Sequence, residues 1–68
     1  MQFKIIRAER AAASEVKAGD VCYSVDDPYG LAADDTEITG IDHVCVSLSE
    51  EGIPFFTIPS DDIEPLLS

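Results

Sequence analysis

Polar and apolar residues alternate along this chain in short bursts, none of them long. Gln2 to Arg7 (QFKIIR) sets Phe3 and Ile5 on one face and Lys4 and Ile6 on the other, which predicts a first strand. Ala8 to Val16 (AERAAASEV) is the one stretch with real helix propensity. At about nine residues it is marginal as a free-standing helix, and a loose connector is the alternative. Lys17-Ala18-Gly19-Asp20 reads as a turn. Val21 to Val25 alternates again, with Val21, Tyr23 and Val25 facing one way and Cys22 and Ser24 the other. Asp26-Asp27-Pro28-Tyr29-Gly30 predicts a turn or loop, since Pro fixes φ and Gly permits a positive one. Leu31 to Gly40 (LAADDTEITG) reads as irregular, with Asp34, Asp35 and Glu37 in solvent. Ile41 to Ser49 is the clearest strand: Val44, Val46 and Leu48 share a face, and His43, Cys45 and Ser47 share the other. Glu50-Glu51-Gly52 predicts a tight turn, and Ile53 to Ile58 an antiparallel return with Pro54 at its start. Pro59 ends that strand. Ser60 is placed as an N-cap, with Asp61 and Asp62 in the first turn of a short helix whose Ile63, Leu66 and Leu67 fold back onto the sheet.

These elements predict one domain over residues 1–68. The fold class is mainly β with a minor α part: a small bent antiparallel sheet or SH3-like barrel of about four strands, with one or two short helical segments. The order of elements resembles an SH3-like barrel. The segments VKAGDVCYSV and FFTIPSDDIEPL carry that likeness, the first as the turn opening a second strand and the second as the helical turn before the last element. The likeness is architectural, and such barrels host many unrelated functions. A chain of this length buries only about 60% of its unfolded surface, so its core is marginal. Its hydrophobic content of 46% still sets it apart from disordered sequences.

Charge changes the picture more than any motif. Lys4, Arg7, Arg10 and Lys17 are the whole basic inventory, and the formal net charge is −10. Residues 18–68 hold twelve of the fourteen carboxylates and no Lys or Arg. Internal ion pairs cannot neutralise such a surface. It either tolerates its own repulsion or meets a positive partner. Direct contact with nucleic acid or with an anionic membrane is disfavoured by the same charge. No apolar run approaches the roughly 18 residues of a membrane span. The N-terminus carries Lys4 and Arg7 in place of the long apolar region of a signal peptide. The expectation is therefore a soluble cytosolic protein, with Cys22 and Cys45 as reduced thiols in or near the core.

Catalytic chemistry finds little here. There is one histidine, no Gly-rich phosphate loop and no zinc signature. His43 and Cys45 share a strand face, and with Cys22 on a neighbouring strand they would make three ligands of a metal corner but no fourth. A pair of carboxylates is uninformative among fourteen. The expectation is no enzyme activity, no cofactor and no metal. A calcium module built on Asp26, Asp27, Asp34, Asp35 and Glu37 is an alternative, although the pattern lacks the spacing of an EF-hand loop. A second alternative is an acidic protein-interaction module that binds through Phe55, Tyr29 and nearby apolar surface.

The carboxylates recur as doublets: Asp26-Asp27, Asp34-Asp35, Glu50-Glu51 and Asp61-Asp62, each at an expected turn, loop or helix start. A compact scaffold that displays paired negative points presents what the phosphates of a duplex present. In size, acidity and lack of catalytic motifs the chain resembles the small phage-encoded inhibitors known as anti-CRISPR proteins, particularly those that act as DNA mimics. The resemblance covers the character of the whole chain and no single segment. It implies a stoichiometric inhibitor that blocks nucleic-acid binding by a CRISPR-Cas surveillance complex or a similar DNA-binding protein. The expected contact residues are Asp26, Asp27, Asp34, Asp35, Glu37, Glu50 and Glu51, with Asp61, Asp62 and Glu64 secondary.

Overall fold

The computed structural model describes residues 1–27 and 29–66. Pro28, read above as part of a turn, and Leu67, read as part of a closing helix, lie outside the described residues. The elements in chain order are β1 (Gln2–Ile5), β2 (Val21–Ser24), α1 (Leu31–Thr39), β3 (His43–Ser47), β4 (Phe55–Pro59), a 3₁₀ turn (Ser60–Asp62) and β5 (Ile63–Pro65). The strands form one antiparallel sheet in the order β4-β3-β2-β1-β5. The chain is thus a mainly β, antiparallel domain with short helical segments, of five strands in place of about four.

The sheet is strongly curled. Its two edges, β4 and β5, are joined by the three-residue 3₁₀ turn alone. That link reaches at most about 14 Å when fully extended. Five flat strands at ordinary spacing would hold their edges about 19 Å apart. The sheet must bend to close the difference, which is the step toward a barrel. The edge of β4 is further covered where the Ala12 amide donates to the Thr57 carbonyl oxygen.

The register fixes which side chains meet. Phe3 lies opposite Cys22, Ile5 opposite Ile63, Ser24 opposite Val46, and Val46 opposite Phe56. Directly paired residues share a face. Ile5, Cys22, Val46, Phe56 and Ile58 therefore converge on one interior, joined by Val16 from the β1–β2 loop. On the other face Cys45, Ser47 and Thr57 are buried as well. α1 packs over β3 and β4 there. Both cysteines are free and buried, on opposite faces of the sheet.

Three elements differ from the sequence reading. Ala8–Val16 is not a helix but the loose connector that stood as its alternative, a chain of turns between β1 and β2. Its alanines pack one by one, with Ala8, Ala11 and Ala13 against the core. The Ala12 amide bonds to the Thr57 carbonyl oxygen, and this contact together with the packed alanines outweighs a nine-residue helix's marginal free energy. Leu31–Thr39, read as irregular, is the α-helix of the molecule. Gly30 and Gly40 bracket it, both in the left-handed region (φ 69° and 74°). Such conformations cost glycine little. Residues 63–65, read as a helical turn, form β5 against β1, and Ser60 makes no side-chain capping bond to the 3₁₀ turn. The β3–β4 connection runs from residue 48 to 54, longer than a tight hairpin, although the Gly52 amide does close a turn onto the Ser49 carbonyl.

Candidate functional site

Only four cations exist, and two of them are occupied. Arg7 Nε donates to Asp62 Oδ1 at 2.9 Å. Arg10 Nη2 donates to Asp62 Oδ1 at 2.8 Å and its Nε to Oδ2 at 3.1 Å. Arg7 Nη2 also reaches the Asp61 carbonyl oxygen at 2.8 Å. Asp62 has 0% exposure. The hydrogen bond from Arg10 holds its carboxyl below the ordinary carboxylate range, against the opposing pull of burial and with further help from Arg7. Asp62 is therefore no helix-dipole charge. It ties the β1–β2 loop to the turn that joins the sheet edges. Of the remaining cations, Lys4 stands opposite Glu64 across β1 and β5.

The seven expected contact residues have no such partners. Both ion pairs among the described residues go to Asp62, and none involves Asp26, Asp27, Asp34, Asp35, Glu37, Glu50 or Glu51. Five of the seven lie on the crossover from β2 to β3. Asp26 is exposed in the loop before α1. Asp27 accepts the Ala32 and Ala33 amides at 3.1 and 3.3 Å, so it caps the first turn of α1. Asp34 and Glu37 are exposed and three residues apart, hence neighbours on the helix surface. Asp35 turns inward enough to accept the Thr57 hydroxyl at 2.6 Å. The doublet Asp34-Asp35 is thus split by a helix, not held together in a loop. Asp61-Asp62 is split too, with only Asp61 exposed.

Glu50 and Glu51 are exposed on the β3–β4 turn. That turn folds back on the crossover: a Cβ placed on Gly52 would sit 3.6 Å from Val25 Cγ2. Gly52 follows Glu51 and Val25 precedes Asp26, so the two acidic segments meet there. The sequence reading overlooked Asp42. It is exposed at the entry to β3, and it belongs neither to a doublet nor to the acidic run from Asp34 to Glu37.

A cavity of about 890 Å³ opens at the mouth of the curled sheet. Phe3, Val44, Ile63 and Pro65 reach it from the inner face, and Asp26, Asp27 and Asp42 stand among the residues around it. No Lys or Arg lines it. Tyr29 stacks on Phe55 with ring centroids 6.1 Å apart, and Tyr29 remains 75% exposed.

The thiols and the imidazole are built into the scaffold. Burial pushes the Cys22 thiol up to about 11. Burial, then the charge of Asp27, raises that of Cys45. Neither is a ready thiolate. His43 Nδ1 lies 2.7 Å from the Ile41 carbonyl oxygen, which only accepts, so Nδ1 carries the proton. Cys22 faces the interior while His43 and Cys45 face outward, so the metal corner considered from the sequence does not assemble. Among the described residues no three His, Cys, Asp or Glu side chains gather to hold a metal ion. No described helix is long and apolar enough to cross a membrane.

Comparison of the chain with models of known families, with curated proteins and with solved structures finds no match.

Proposed function

We propose that this protein is a stoichiometric inhibitor that acts as an acidic DNA mimic. Its partner is a basic nucleic-acid-binding protein, and a CRISPR-Cas surveillance complex is the target class that the likeness to anti-CRISPR proteins implies. It would work in the cytosol of the cell that holds that complex. One observation carries the reading. Both arginines are tied to Asp62, and no ion pair among the described residues reaches the carboxylates of the crossover or the β3–β4 turn. Like charges held close on a marginal core cost stability, and binding to a positive groove removes that cost. Competition with DNA and electrostatic steering supply the mechanism, with association slowing as salt rises.

The test is displacement. Surveillance complexes preloaded with fluorescent duplex DNA are titrated with the protein and followed by anisotropy. The expected result is release of DNA near equimolar protein, weakening as NaCl is raised. If no complex releases DNA even at low salt, the proposal is wrong. The stacked pair Tyr29 and Phe55 favours a second reading, an interaction module whose contact is aromatic rather than acidic. Binding by that route would survive high salt and would be lost on Tyr29→Ala.

A further inference from the structure

Resting on the reading above, we propose that the cavity at the barrel mouth anchors the basic partner. It receives one apolar side chain of an extended segment in which Lys or Arg flank that residue. The floor and the rim argue for this separately. Phe3, Val44 and Ile63 belong to the interior face of the sheet but are only partly buried, because the strands leave the mouth open. The volume of about 890 Å³ falls within the range of ligand pockets. Apolar surface left open in a chain this short forgoes burial that its marginal core needs.

The rim selects the occupant. Asp26, Asp27 and Asp42 line the cavity together with the apolar residues, no Lys or Arg does, and His43 is the one basic side chain there. Asp27 is held in place by the Ala32 and Ala33 amides. A phosphate backbone is repelled at this rim and has no apolar side chain to insert. A neutral apolar molecule would gain nothing from the three carboxylates. A peptide segment with a central apolar residue and flanking cations satisfies floor and rim together. The charged surface then supplies encounter, and the cavity supplies choice among basic partners.

Two capped peptides test it against the intact protein at low ionic strength: one with Leu between pairs of arginines, the other with Ser in place of Leu. Calorimetry and amide shift mapping are the readouts. The Leu peptide is expected to bind roughly tenfold tighter, the equivalent of burying one apolar side chain. Its shifts should centre on Phe3, Val44 and Ile63. Ala33→Trp, which fills the mouth from an exposed position on α1, should abolish the difference between the peptides. Equal binding of both peptides, with no shifts on the cavity floor, overturns this inference and leaves the charge reading standing. Failure of both peptides to bind overturns the two together. Should Ala33→Trp not fold, the wild-type shifts decide alone.

Discussion

Asp62 is the one carboxylate among the described residues that ion pairs tie into the fold. Its side chain is fully buried, and both its oxygens accept from Arg7 or Arg10. Its backbone oxygen accepts the Ile6 and Arg7 amides as well. Because Arg10, then Arg7, hold its carboxyl below the ordinary value, the ion cluster stabilises the fold at any pH above the unfolded carboxylate value, about 3.9. The contribution is lost as pH falls through the lower, folded value. Asp62→Asn is expected to cost about 1–3 kcal/mol at pH 7. It should also flatten the loss of stability below about pH 4. Thermal unfolding from pH 7 to pH 3 checks both. A variant as stable as wild type at pH 7 would show that the arginines do not matter to the fold. No local pattern hints at this pairing. Asp61 and Asp62 sat where a helix start would place them, and the partners lie more than fifty residues away in the chain.

The elements were legible where alternation was strong. β1, β2, β3 and β4 all appear within two residues of where the hydrophobic pattern placed them. The turn at Lys17–Asp20 also appears, closed by the Asp20 amide on the Lys17 carbonyl. Ala8–Val16 takes the connector alternative and Leu31–Thr39, read as irregular, is a helix, for opposite reasons. Ala8–Val16 has the propensity but is claimed by tertiary contacts. Leu31–Thr39 has weaker propensity, with two Asp and two Thr, and is rescued by local bonds. Thr36 and Thr39 hydroxyls donate back to the Ala32 and Asp35 carbonyls, and Asp27 caps the start. A capping Asp ahead of a flanking glycine was the available clue, obscured by reading Asp27 as one half of an acidic doublet. Asp27→Ala should therefore destabilise α1 by about 0.5–2 kcal/mol and speed hydrogen exchange at Ala32 and Ala33. Unchanged exchange there would mean that the cap is incidental. β5 escaped the sequence reading because a three-residue strand ending in Pro65 has no period to detect.

For the molecule as a whole, the net charge of −10 acts against the fold. Shortening the Debye length from about 10 Å at 0.1 M salt to about 3 Å at 1 M relieves the repulsion between exposed carboxylates. The ion cluster at Asp62, whose carboxylate is buried while its arginines are half-exposed, is screened less than fully exposed pairs. The melting temperature should thus rise with NaCl at pH 7, and a fall would show that attraction, not repulsion, dominates the surface. The acidic imbalance and the curled sheet were readable from the sequence. The convergence of the crossover and the β3–β4 turn at Val25 and Gly52 was not, since it depends on a fold-back that no local pattern encodes. The most direct measurement reverses charge only where carboxylates have no internal bond. A variant carrying Asp34→Lys, Glu37→Lys, Glu50→Lys and Glu51→Lys is compared with wild type for capture of a CRISPR-Cas surveillance complex at low salt. The account predicts capture by wild type and at least a hundredfold loss in the variant, roughly 3 kcal/mol spread over four contacts. Equal capture by both would contradict it.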